Sequence, residues 1–86
     1  MSSIQDRVQE FIRENFLYMR PEFQLDNADP LLGNGVIDSL GVMELITYLE
    51  ENFEIQIADD EVTEANLGTI NAIAQYVQAK RRARVA

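Results

Sequence analysis

At 86 residues and a net charge of -8, the chain has room for one domain, residues 1–86, with a modest core, and its acidity disfavours nucleic acid and anionic membranes while favouring partners with basic surfaces. It has no cysteine and no histidine, which excludes disulfides, thiolate catalysis and cysteine metal sites and removes the commonest general base. Hydrophobic residues make up 47% of a chain with only two prolines, yet no run approaches the ~18 apolar residues of a membrane span and no basic-then-apolar leader opens it; a cytoplasmic monomer that folds unaided and catalyses nothing by itself is expected.

Ser3 and Asp6 resemble a capping box, and Ile4, Val8, Phe11 and Ile12 follow at helical spacing with Phe16 beside them. The spacing predicts a first helix from Ile4 to about Tyr18, its aromatics serving as packing residues, and Pro21 ends any continuation. From Met19 to Asp38 no steady period survives, and Asp26-Asn27, Asp29-Pro30 and Gly33-Asn34-Gly35 are successive turn signals. So long a loop must be functional or pinned. Phe23, Leu25, Leu31, Leu32, Val36 and Ile37 are the residues expected to pin it, as a strap across one end of a bundle that delivers Ser39 to a fixed place.

The next helix should begin at Ser39 or Leu40 and run to about Phe53. A serine there can cap orphan N–H groups or carry an attached group, and a phosphate at a helix start is favoured by free N–H donors and the positive end of the dipole. The tripeptide Asp38-Ser39-Leu40 leaves both open, capping being the plainer. Val42, Leu45, Ile46, Leu49 and Phe53 form the apolar face, and Leu40, Glu44, Thr47 and Glu51 the opposite one, with Met43 on the border and Glu50 nearer the core. That exposed stripe is either a solvated face or a docking patch with an apolar centre and an acidic rim. Gly41 within the helix reflects either close approach by a partner or arm, or fraying of the first turn.

Asn52-Phe53-Glu54 closes this helix, and Ile55 and Ile57 are expected as core plugs. Asp59-Asp60-Glu61 should begin a short helix through about Ala65; without a glycine-centred ligand loop its carboxylates read as solvated, and no metal is expected. Leu67-Gly68-Thr69 reads as a turn with Thr69 capping a last helix that carries Ile70, Ile73, Ala74 and Val77 inward and Lys80, Arg81, Arg82 and Arg84 at its end, a basic cluster too short for nucleic-acid binding. The fold class is all-α, a small four-helix bundle of three main helices and one short helix with a long first loop.

Taken together, Asp38-Ser39-Leu40, Met43-Glu44-Leu45, Leu49-Glu50-Glu51-Asn52-Phe53, Ile57-Ala58-Asp59-Asp60-Glu61, Thr69-Ile70 and Tyr76-Val77 resemble the acyl carrier protein family over almost the whole length. The resemblance implies that Ser39 receives 4'-phosphopantetheine from coenzyme A through a separate phosphopantetheinyl transferase, with Asp38 as the flanking carboxylate, and that the arm's thiol holds acyl or aminoacyl groups. Further partners would be a loading ligase and downstream acyl-transfer enzymes, docking on Leu40, Met43, Glu44, Thr47 and Glu51. A chain without Cys needs an imported thiol, and one without His has no evident base to activate Ser39.

Carriers of fatty-acid synthesis usually have one residue between the glycine and Asp-Ser-Leu, and an acid after the Leu. Here Val36 and Ile37 intervene, Gly41 follows, and Ala58 replaces the usual proline. The form looks more like free-standing carriers of specialised pathways, aminoacyl and D-alanyl carriers among them. The competing readings are a housekeeping fatty-acid carrier, an unmodified acidic adaptor in which Ser39 only caps its helix, and a hydrolase using Ser39, which lacks any histidine partner.

Overall fold

In the computed structural model, which describes residues 3–85 (with the side chains of Arg84 and Val85 outside the description), four α-helices and one 3-10 turn follow one another with no strand among the described residues: α1 (Ile4–Phe16), α2 (Ser39–Phe53), the turn Asp59–Glu61, α3 (Glu64–Leu67) and α4 (Ile70–Val85). The expected class, three main helices and a short one after a long loop, is the one observed.

Helix α1 starts where Ser3 Oγ accepts from the Asp6 N–H at 3.1 Å. It ends at Phe16, short of the expected Tyr18, because Leu17 turns inward and is buried while Tyr18 is left exposed. Val8 and Ile12 supply its core contact, and Ile4, Phe11 and Phe16 pack on the margin. Helix α2 buries Leu45, Leu49 and Phe53, with Val42 and Ile46 half-buried, and stops when Glu54 adopts a left-handed φ of 55°. Helix α4 packs on α1, α2 and α3 through Ile70, Ile73, Ala74, Tyr76 and Val77, starting from the Thr69 hydroxyl, which accepts from the Ala72 N–H at 3.0 Å. Ile55 is buried and Ile57 half-buried, so both plug the core as expected.

The acidic segment departs from expectation. Asp59–Glu61 forms only a 3-10 turn, and α3 begins separately at Glu64 because Thr63, rather than an aspartate, caps it, its hydroxyl accepting from the Asn66 N–H at 3.2 Å. Leu67 belongs to α3 and Gly68 ends it, so the expected turn over 67–69 shrinks to the junction with α4.

The long loop is a pinned strap. Leu25, Leu31, Val36 and Ile37 are buried and Phe23 is half-buried; Leu32, expected among the pins, is instead half exposed, on the side of the turn facing solvent. Polar ties from both sides complete the anchorage. From α1, the Gln9 amide donates to Leu25 O at 3.1 Å and to Asn27 Oδ1 at 3.0 Å, and Arg13 donates to Phe23 O at 3.2 Å. From the α3–α4 junction, Gly68 O accepts from the Leu31 N–H at 2.9 Å, while Asn27 O accepts from the Asn71 N–H at 3.0 Å. These bonds satisfy backbone groups that a buried loop would otherwise strand away from water.

Candidate functional site

The strap's last turn explains where Ser39 sits. Gly35 takes a φ of +71°, a left-handed conformation that a side chain resists, and the reversal lets the Val36 and Ile37 N–H groups both donate to Leu31 O, at 3.0 and 3.2 Å. The two residues between glycine and Asp38 are therefore absorbed into the core. Asp38 and Ser39 emerge exposed immediately after them.

Asp38, and not Ser39, is the N-cap of α2: its Oδ1 accepts from the Gly41 N–H at 2.7 Å and its backbone is extended, with φ -99°. The capping reading of Ser39 is thereby corrected. Ser39 occupies the first helical position, and among the described residues its exposed hydroxyl has no hydrogen-bond partner. No carboxylate lies in the first turn of α2, so an anion attached at Ser39 would meet free N–H groups and the helix dipole with only the engaged Asp38 side chain nearby. The site thus fits a phosphate ester.

The face of α2 opposite the core carries Leu40 and Met43, 78% and 62% exposed, followed by exposed Glu44, Thr47 and Glu51, so Ser39 and all five expected docking residues share one surface. Thr47 spends its hydroxyl on Met43 O at 3.1 Å, and Glu50 turns aside to accept from the Ile57 N–H at 3.0 Å. Beside this surface, under the strap, lies an apolar pocket of about 100 Å³ lined mainly by Leu31, Ile37, Val42, Leu45, Val62 and Leu67. Sequence spacing could not reveal it, because its walls come from the strap, α2 and α3 together.

Gly41 is buried, and neither a partner nor fraying accounts for it: a β-carbon there would stand 2.8 Å from Phe16 Cε1 and 2.9 Å from Ile37 Cγ2. The constraint is internal. In the turn Asp59–Glu61, Glu61 Oε1 accepts from the Ala58 N–H and from Lys80 Nζ, both at 3.0 Å, and these partners, the backbone N–H first, hold its carboxyl below the ordinary range. Burial, reinforced by the neighbouring Glu61, pushes the Tyr76 hydroxyl up to about 12.

The chain matches the family model described as "Phosphopantetheine attachment site" over residues 6–77. It belongs to that family of phosphopantetheine-bearing carriers. Among similar proteins, the acyl carrier protein of Exiguobacterium sibiricum is 39% identical over 75 residues, covering 85% of this chain and 87% of the relative. The D-alanyl carrier protein of Streptococcus uberis is 36% identical over 67 residues, covering 78% of this chain and 84% of the relative. A carrier of this family bears covalent phosphopantetheine supplied by a phosphopantetheinyl transferase and is a substrate of enzymes rather than a catalyst. When bound, that group supplies the thiol which a chain without cysteine lacks. No helix among the described residues is long and apolar enough to cross a membrane.

Proposed function

We propose that Ser39 is the residue that receives 4'-phosphopantetheine, and that this single domain works as a free-standing cytoplasmic carrier of acyl or aminoacyl groups in a specialised pathway. The observation that carries the reading is the free Ser39 hydroxyl at the head of α2, with the neighbouring Asp38 already doing the capping. Composition supports it. Within residues 6–77, the span that the family model matches, Ser39 is the sole serine.

In the attachment step, Ser39 Oγ attacks the phosphorus that carries the pantetheine in coenzyme A. The new O–P bond forms as the diphosphate bond breaks, the adenosine bisphosphate half leaves, and the hydroxyl proton passes to a base on the transferase, since this chain has no histidine to take it. Asp38 holds the first turn of α2 by capping it. Once tethered, the cargo reaches each partner at high effective concentration, so the docking contact can remain weak and reversible.

Leu40, Met43, Glu44, Thr47 and Glu51 form the surface read by the transferase, the loading ligase and downstream acyl-transfer enzymes, whose complementary surfaces are basic. The identities of 39% and 36% to an acyl carrier and a D-alanyl carrier leave both cargo classes represented among the relatives.

Intact mass after incubation with coenzyme A and a phosphopantetheinyl transferase tests the reading. The native chain should gain one phosphopantetheine and Ser39→Ala none; an unchanged native mass, or a gain that persists in Ser39→Ala, overturns it.

A further inference from the structure

We propose that Phe16 and Gly41 form a positioning pair that sets how the first turn of α2 presents Ser39. The inference rests on the reading of Ser39 as the attachment residue and adds two residues that never touch the incoming group.

Glycine inside a helix is disfavoured relative to alanine, and the usual compensation, a positive φ, does not apply at Gly41: Gly35 is the glycine with that conformation. What requires glycine here is space. A β-carbon at Gly41 would meet Phe16 Cε1 at 2.8 Å, Ile37 Cγ2 at 2.9 Å and Asp38 Oδ1 at 3.2 Å. Those atoms belong to the end of α1, to the end of the strap and to the cap of α2, so three elements converge on the missing methyl.

The half-buried Phe16 ring is flanked by other aromatics. It meets Phe11 edge-on, with centroids 5.9 Å apart at 76°, and Phe11 in turn stacks on Tyr48 at 4.1 Å. Tyr48 is itself fixed at both sides, its hydroxyl donating to Arg7 O at 3.1 Å and its ring lying edge-on to Phe53 at 6.2 Å. An aromatic column thus runs between α1 and α2, and Phe16 is its terminal member at the Ser39 end. Because the Gly41 N–H is the group that Asp38 caps at 2.7 Å, any shift at Gly41 passes directly to the cap and to Ser39 two residues earlier.

Phosphoryl transfer depends on the alignment of the attacking oxygen, and a misplacement of about 1 Å costs up to roughly a hundredfold in rate. The test compares transferase-catalysed attachment, followed by intact mass at varied carrier concentration, for the native chain, Gly41→Ala, Phe16→Leu, the double variant and Ser39→Ala. Gly41→Ala should lose about tenfold in kcat with KM within about twofold, and the double variant should recover about threefold of that loss, because trimming the ring relieves the nearest contact while Ile37 Cγ2 still crowds the methyl. Helical circular dichroism accompanies every measurement. Native rates for Gly41→Ala, or a double variant no better than Gly41→Ala, overturn the pairing. Should Gly41→Ala fail to fold, the double variant must recover both fold and attachment, and its failure to do so counts equally against the pair. Attachment to Ser39→Ala instead overturns the choice of Ser39, and this inference with it.

Discussion

Lys80 Nζ and the Ala58 N–H meet on the same oxygen of Glu61, each at 3.0 Å, so one carboxylate ties the turn Asp59–Glu61 to the middle of α4. Both donors favour its ionised form and lower its pKa. A carboxyl whose pKa is lower folded than unfolded contributes stability that is present above the unfolded value, about 4.3, and lost as pH falls through the folded one. Glu61→Gln should therefore lower the urea midpoint at neutral pH, and its curve should converge with the native one below about pH 4. A gap that stays constant into acid would show that ionised Glu61 contributes nothing.

Tyr76 has the opposite sign. Its hydroxyl is buried with no hydrogen-bond partner among the described residues, and burial, then Glu61, raises its pKa to about 12. The neutral phenol's contribution is complete below the unfolded value near 10 and disappears as pH rises through about 12. Tyr76→Phe should be neutral or more stable by about 1 kcal/mol at pH 7, and should resist alkaline unfolding between pH 10 and 12 better than the native chain. Urea titrations at pH 7, 10 and 11.5 on the two chains check both halves, the last two values lying roughly within the window set by that shift.

Because Asp38 caps α2 while the Ser39 side chain makes no hydrogen bond among the described residues, their removal should have unequal cost. Asp38→Ala should lose about 1 kcal/mol of unfolding free energy, whereas Ser39→Ala should change it by less than about 0.5 kcal/mol. Equal losses in equilibrium urea unfolding would return the cap to Ser39.

On the exposed side of α2, Glu44→Lys and Glu51→Lys reverse charges that make no ion pair among the described residues. Each should slow loading by the cognate ligase several-fold at low ionic strength, an effect that salt diminishes, while leaving helical circular dichroism unchanged. Stopped-flow loading at two salt concentrations is the check. Unchanged kinetics would mean that this face is merely solvated.

Much of the architecture was legible because apolar spacing is a local signal: Val8 and Ile12, then Leu45, Leu49 and Phe53, fall on the buried faces that their periodicity implies. The strap's role was legible from its length and its apolar residues, yet its clamps were not, because Gln9 and Arg13 look like solvent-facing helix residues until the chain returns to meet them. Gly41 was misread for the same reason. What demands a glycine there is Phe16, 25 positions earlier in the sequence, together with Ile37, and no helical or turn pattern announces that convergence. Asp38-Ser39-Leu40 stood out by its residues, but which of Asp38 and Ser39 caps the helix depended on a one-residue difference in the start of α2.

Ile37, at 2% exposure, is the last side chain before the Asp38–Ser39 pair, and its N–H is tied to the same carbonyl as that of Val36. With Ser39 as the proposed attachment residue, a load hung there gains no slack from the polypeptide. Its sweep radius is that of the prosthetic arm alone, and a client enzyme whose catalytic centre lies deeper than the arm can extend has to bring its own surface down onto the carrier.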